Sequence, residues 1–168
     1  HLLSKVKFTF KNGFPTETTT IKVTNVEMEV PASAEINLAQ ADYSKAWTNH
    51  AATTTTLEFG DVEKLAYTQR AEVANERLTI PATAAQEYDI TFTVELFMGA
   101  QSVYVVDMSS KVSGYELAMG NAYNFTAVIN SESLQLEDIV FDVEVVKDWV
   151  DAGEQDVYVG ETAAVANA

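Results

Sequence analysis

With 168 residues the chain has room for one large or two small domains, and with 47% hydrophobic positions it has material for a real core. Its 25 Asp and Glu against 10 Lys and Arg give a net charge of −15, a surface that repels nucleic acid and anionic lipid and argues against both as partners. Cysteine is absent, which excludes disulfides, thiolate metal sites and a cysteine nucleophile. His1-Leu2-Leu3 opens the chain in place of Met, no signal peptide is recognisable, and no apolar run reaches the roughly 20 residues of a membrane span. The expectation is one β-sandwich module over residues 1–168, the remainder of a longer precursor whose N-terminal part is absent.

Taken in order, Val6, Phe8 and Phe10 alternate with Lys5, Lys7 and Thr9, which predicts a strand ended by a hairpin turn at Asn12-Gly13. Ile21 and Val23 share one face of the next strand. After Asn25 the apolar side passes to Val26, Met28 and Val30, so a bulge is expected near Asn25 before Pro31 ends the run. Ile36 and Leu38 suggest a short strand, Trp47 reads as a core anchor, and Thr53–Phe59 reads as a strand stopped by Gly60. Between Asp61 and Glu76 the pattern is ambiguous: Val62, Leu65, Ala66 and Val73 loosely fit one short helix with Asp61 as its N-cap.

Arg77–Ile80 predicts a short strand stopped by Pro81. Tyr88, Ile90, Phe92, Val94 and Leu96 then form the most regular alternation in the chain. Met98-Gly99-Ala100 turns that strand back into Ser102–Met108, where Tyr104, Val106 and Met108 face one way and Val103 and Val105 the other, as in a strand covered on both sides. Lys111–Leu117 suggests a further short strand. The stretch around which the rest is organised runs from Gly120 to Trp149: Tyr123, Phe125, Ala127 and Ile129 on one strand, Ile139, Phe141, Val143 and Val145 on another, closed by Trp149. Short strands about ten residues apart predict an all-β, antiparallel two-layer sandwich. Its core should be shared by Phe8, Trp47, Ile90, Phe92, Phe125, Phe141 and Trp149.

Groups for catalysis do not assemble in the sequence. His1 and His50 stand alone, and neither a Gly-rich phosphate loop nor a G-x-S-x-G elbow occurs. Glu137, Asp138, Asp142, Glu144, Asp148, Asp151, Glu154 and Asp156 cluster in the sequence, yet they lack the D-x-[DN]-x-[DN]-G spacing of a calcium loop and read as a solvated face. Tyr88, Tyr104 and Tyr123 fall on apolar faces and read as core rather than as a sugar platform. Asn124-Phe125-Thr126 matches a glycosylation sequon inside a strand, a match common by chance. No cofactor, metal or catalytic residue is assigned, and the chain is read as not an enzyme.

The runs Ile80-Pro81, Tyr88–Val94, Gly120-Asn121-Ala122-Tyr123-Asn124-Phe125 and Asp148-Trp149 resemble the C-terminal half of the fimbrillin-like proteins, the type V pilins and related surface lipoproteins of Bacteroidales. His1–Phe8 is similar to the H-x-x-S-K-V strand that recurs in that family. The resemblance implies a transthyretin-like sandwich, export as a lipoprotein precursor, and a place at the cell surface in a fimbrium (pilus) associated with the outer membrane. It also implies polymerisation with other pilin subunits through strand exchange, and adhesion to a host or microbial surface ligand. The chain departs from the pattern in lacking the lipobox Cys and most of an N-terminal domain.

Two readings of the tail stay open. Val157 and Val159 alternate, and the small residues around Val165 suit a narrow groove, so Val157, Val159 and Val165 are candidate positions of a donor strand. The plainer reading adds this segment to the chain's own sheet. A carbohydrate-binding β-sandwich module is the alternative function, because a fold of this class does not fix what it does.

Overall fold

The computed structural model describes residues 1–135 and 139–147. Trp149, the residues of the candidate donor strand, and every member of the acidic cluster except Asp142 and Glu144 lie outside them. The alternating sequence produces strands in chain order: β1 (Ser4–Asn12), β2 (Thr19–Pro31), β3 (Glu35–Ile36), β4 (Trp47–Thr48), β5 (Thr54–Leu65), β6 (Arg70–Glu72), β7 (Arg77–Thr79), β8 (Gln86–Met98), β9 (Gln101–Tyr115), β10 (Ala122–Ile129) and β11 (Asp142–Val146). Single 3-10 turns occur at Tyr43–Lys45 and Ser133–Gln135. One sheet runs β11-β10-β1 with β6 and β7 side by side on the far edge of β1, and the second runs β5-β2-β8-β9. Strands β3 and β4 form a separate two-stranded piece.

The two larger sheets pack as a sandwich because each contributes one apolar face. Val6, Phe8 and Phe10 of β1 and Phe125, Ala127 and Ile129 of β10 meet Ile21, Val23 and Met28 of β2 and Ile90, Phe92 and Val94 of β8. Aromatic rings bridge the layers: Phe8 packs edge-on to Phe59 at 4.8 Å and Phe10 lies 5.1 Å from Phe92. Five of the seven expected core residues, Phe8, Ile90, Phe92, Phe125 and Phe141, are buried.

Trp47 is not one of them. It is half-buried beside Ile36 in the small sheet, and its indole N–H donates to the Leu2 carbonyl at 2.8 Å. The polar edge of the ring thus finds a partner at the rim, which a place among phenylalanines would deny it. Leu38 is likewise exposed outside any strand.

The pairings are antiparallel with one exception. Strand β1 runs parallel to β10, from Lys5 opposite Ala122 to Asn12 opposite Ile129. The Asn12-Gly13 step is therefore no hairpin: it carries the chain from one sheet to the other. Gly13 extends the β1 ladder by donating to the Ile129 carbonyl, and a Cβ there would sit 2.5 Å from Val128 Cγ1. Asn12 is buried at the crossing. Its amide donates to the carbonyls of Thr19 (2.9 Å) and Leu65 (3.0 Å) and its Oδ1 accepts from the Phe14 N–H, so one side chain ties three segments together.

Residues 61–76 are extended, not helical. Strand β5 passes through Gly60 at φ 91 and continues to Leu65. Its pairing with β2 shifts register between Ile21 and Val23, again between Val23 and Val26, and once more before Glu27. Extra residues at these bulges space the buried positions Phe59, Val62 and Leu65 three apart, which imitates a helix face. Asp61 caps nothing; its carboxylate accepts from the Asn25 N–H at 2.9 Å. Asn25 itself has φ 53 at the expected bulge of β2. Of Lys111–Leu117, expected as a separate strand, the part through Tyr115 continues β9 without a break, and Glu116-Leu117 lie outside any strand.

Candidate assembly flank

Chemistry-bearing side chains do not converge among the described residues. No group of three or more His, Asp or Glu is placed to hold a metal ion there. His50 donates from Nε2 to the Pro81 carbonyl at 2.6 Å, a structural bond at the rim. Asp142 and Glu144 are exposed on β11. Of the tyrosines read as core, Tyr88 and Tyr123 are buried. The Tyr123 hydroxyl donates to Glu116 O and accepts from Ala118 N–H, both at 2.7 Å. Burial first, and then neighbouring Tyr123, pushes the Tyr88 phenol up to about 12. Tyr104, by contrast, is exposed, and so are Val103 and Val105, which no second layer among the described residues covers. Asn124 of the sequon accepts from the Thr9 hydroxyl at 2.9 Å.

What the exposed residues do share is a flank. Among the described residues β9 pairs only with β8 and β11 only with β10, so each is a sheet edge. The two edges lie on the same side of the sandwich. Ile139 donates from its N–H to the Ser109 carbonyl of β9 at 3.3 Å, and the Ser110 hydroxyl donates to the Ile139 carbonyl. Three residues later the chain enters β11, a span of about 11 Å at most. Because the Ser109 carbonyl points outward, Asp107 and Val105, at the same parity, also turn backbone groups outward. Among the described residues, six of the twelve exposed large apolar side chains stand on this side: Val103, Tyr104, Val105, Val140, Val145 and Val146, between 44% and 73% exposed. Unpaired backbone beside apolar side chains is the chemistry of strand addition. In the sequence, Val103 and Val105 carried this signal as a second apolar face on one strand, which reads equally as burial.

A family model described as fimbrillin-like matches residues 1–149. The chain belongs to that family. A fimbrial protein of Bacteroides vulgatus shares this fimbrillin-like fold at a TM-score of 0.53 and 10% identity, over 89% of this chain and 55% of that one. A candidate cell adhesion protein of Bacteroides ovatus aligns over 89% of this chain and 46% of its own, at 15% identity and a TM-score of 0.42. The fimbrillin-like chain thus spans about half the length of the solved structures it resembles. No curated protein matches it. Among the described residues no helix is long and apolar enough to cross a membrane.

Proposed function

We propose that this fimbrillin-like chain is a structural or adhesive subunit of a bacterial surface fimbria, exported as a lipoprotein precursor and associated with the outer membrane. It assembles with other pilin subunits by strand donation. The observation that carries the reading is the open flank, where outward backbone groups of β9 lie beside Val103 and Val105. An extended segment laid there gains main-chain hydrogen bonds, and alternate side chains enter apolar positions. The tail of a neighbouring subunit supplies such a segment, with Val157, Val159 and Val165 as the side chains that fill pockets. The fimbrial protein that shares the fold, and family membership itself, support a place in a surface fibre.

Deleting residues 156–168 tests the reading. The expected outcome is an unchanged melting temperature with loss of the self-association that persists in sedimentation velocity at about 1 M salt. A truncated chain that unfolds as a monomer would assign the tail to its own sandwich and end the donor reading.

A further inference from the structure

The outer faces of the two sheets differ in charge, and each carries a like-charge pair that its own sheet does nothing to neutralise. On the first sheet Lys11 of β1 stands directly opposite Arg70 of β6, with Val128 as its neighbour on β10. On the second, Glu27 of β2 stands directly opposite Glu58 of β5, with Thr91 as its neighbour on β8. Like charges directly opposed across strands destabilise a sheet, and nearby ions usually relieve them. Here the ion pairs lie elsewhere, although the Arg77 guanidinium of the other sheet donates to the Glu58 backbone carbonyl at 2.7 Å. Lys7 is held by Glu72 at 2.6 Å, Lys22 by Glu63 at 3.5 Å, and Lys111 by Glu87 and Asp89. Among the described residues Lys11, Arg70, Glu27 and Glu58 enter no ion pair.

The acidic pair also borders a depression. A shallow hollow of about 420 Å³ is lined by polar Asn25, Glu27, Thr91, Thr93, Asp107 and Ser109 together with Phe92 and Met108, the apolar part suiting the stem of a long side chain. The bulge at Asn25 opens it, and Asp107 brings a second carboxylate to its wall, held in place by the Thr93 hydroxyl at 2.7 Å. A hollow with carboxylates and hydroxyls suits the head of a long cationic side chain.

We propose that copies of this chain stack sheet face on sheet face, with Lys11 and Arg70 of one copy seated over Glu27, Glu58 and the adjoining hollow of the next. The occupant is a second copy because the cationic pair that complements the acidic pair is on the opposite face of the same molecule. Faces on opposite sides of a sandwich make a heterologous contact, which continues as a row where the rotation between copies does not close a ring. The net charge of −15 opposes association at long range, while the seated pairs act at short range. At about 0.1 M salt, screening over roughly 10 Å damps the first and spares the second.

The test is sedimentation velocity of the full chain at about 0.1 M and about 1 M salt, where the screening length falls to roughly 3 Å. Beyond any association that persists at the higher salt, we expect a salt-sensitive step at the lower, weakened roughly tenfold or more at the higher or in either Lys11→Glu/Arg70→Glu or Glu27→Lys/Glu58→Lys. Mixing the two variants in equal amounts restores it, since each then offers the face the other needs. If a reversed pair impairs folding, Lys11→Gln/Arg70→Gln removes the cations without creating a new repulsion, and it should weaken association in the same way. Association of the folded variants equal to wild type, or a mixture that does not recover it, overturns the contact. Association that resists salt and survives both reversals belongs to tail exchange, and stacking is overturned where no salt-sensitive step is found beside it.

Discussion

Phe141 is the residue whose removal best tests the way the two sheets are joined. It precedes β11 on the segment that leaves β9 at Ile139, and it is only 7% exposed. Its ring lies 5.6 Å from Phe8, 6.0 Å from Phe10, 6.0 Å from Phe92 and 6.4 Å from Phe125, so it touches rings of both layers. Burying such a side chain contributes roughly 1.5–3 kcal/mol by transfer alone, and edge-to-face ring pairs add about 0.5–1.5 kcal/mol each without summing fully. Truncation also leaves a cavity. Collapse into it is hindered because Ile139, two residues away, is bonded to Ser109 and Ser110. Phe141→Ala should therefore cost about 4–5 kcal/mol, the upper part of the usual range for buried phenylalanine. For a chain of this size that lowers the melting temperature by roughly 8–20 °C. Urea unfolding at equilibrium gives the free energy, with the slope m reporting whether the folded state stays compact. A loss below about 1.5 kcal/mol at unchanged m would mean that the ring is not shared by the two layers, and the crossing from β9 to β11 would have to be redrawn.

Two further outcomes follow from single side chains. Asn12→Ala removes the partner of two buried carbonyls and one N–H, and we expect a loss of about 2–4 kcal/mol in urea unfolding; a loss under about 1 kcal/mol would show that water replaces the amide. Tyr88 has its pKa raised in the fold to about 12, so the native state holds its proton where the unfolded chain, near 10, releases it. Its stabilising contribution is complete below about pH 10 and is lost as pH rises through about 12, an alkaline decline of order 2–3 kcal/mol that Tyr88→Phe should flatten in pH-dependent unfolding.

How much of this was legible depended on where each signal lives. Strands β1 and β8 are written in the sequence because Val6-Phe8-Phe10 and Tyr88-Ile90-Phe92-Val94 alternate without interruption, and period two has one physical meaning. The bulge at Asn25 was legible too, as a change of phase. Residues 61–76 misled because bulges changed the spacing of Phe59, Val62 and Leu65 to that of a helix. Trp47 misled because size alone does not say whether the indole N–H needs a partner at a rim. The parallel partner of β1 left no local trace, since pairing across the chain is decided by the whole core. The opposed pairs Lys11–Arg70 and Glu27–Glu58 could be found only once register was known: each is two ordinary surface charges until a neighbouring strand sets them face to face.

The parallel pairing of β1 with β10 has a consequence for the order in which the molecule can form. Strand β1 is interior to its sheet, and each of its neighbours, β6, β7 and β10, comes later in the chain. On a growing chain β6 and β7 reach it by Thr79 and Phe92 of the opposite layer reaches Phe10 later, but its parallel edge stays unpaired until Ile129 has been made. The antiparallel β8–β9 ribbon needs only its own turn at Gly99. Closing so long a loop carries an entropic cost that no local contact offsets, which places folding in the slow range of β-rich topologies, milliseconds to seconds. In that interval the unpaired edge of β1 is what a holding chaperone would cover, and a chain stopped short of β10 would present that edge permanently.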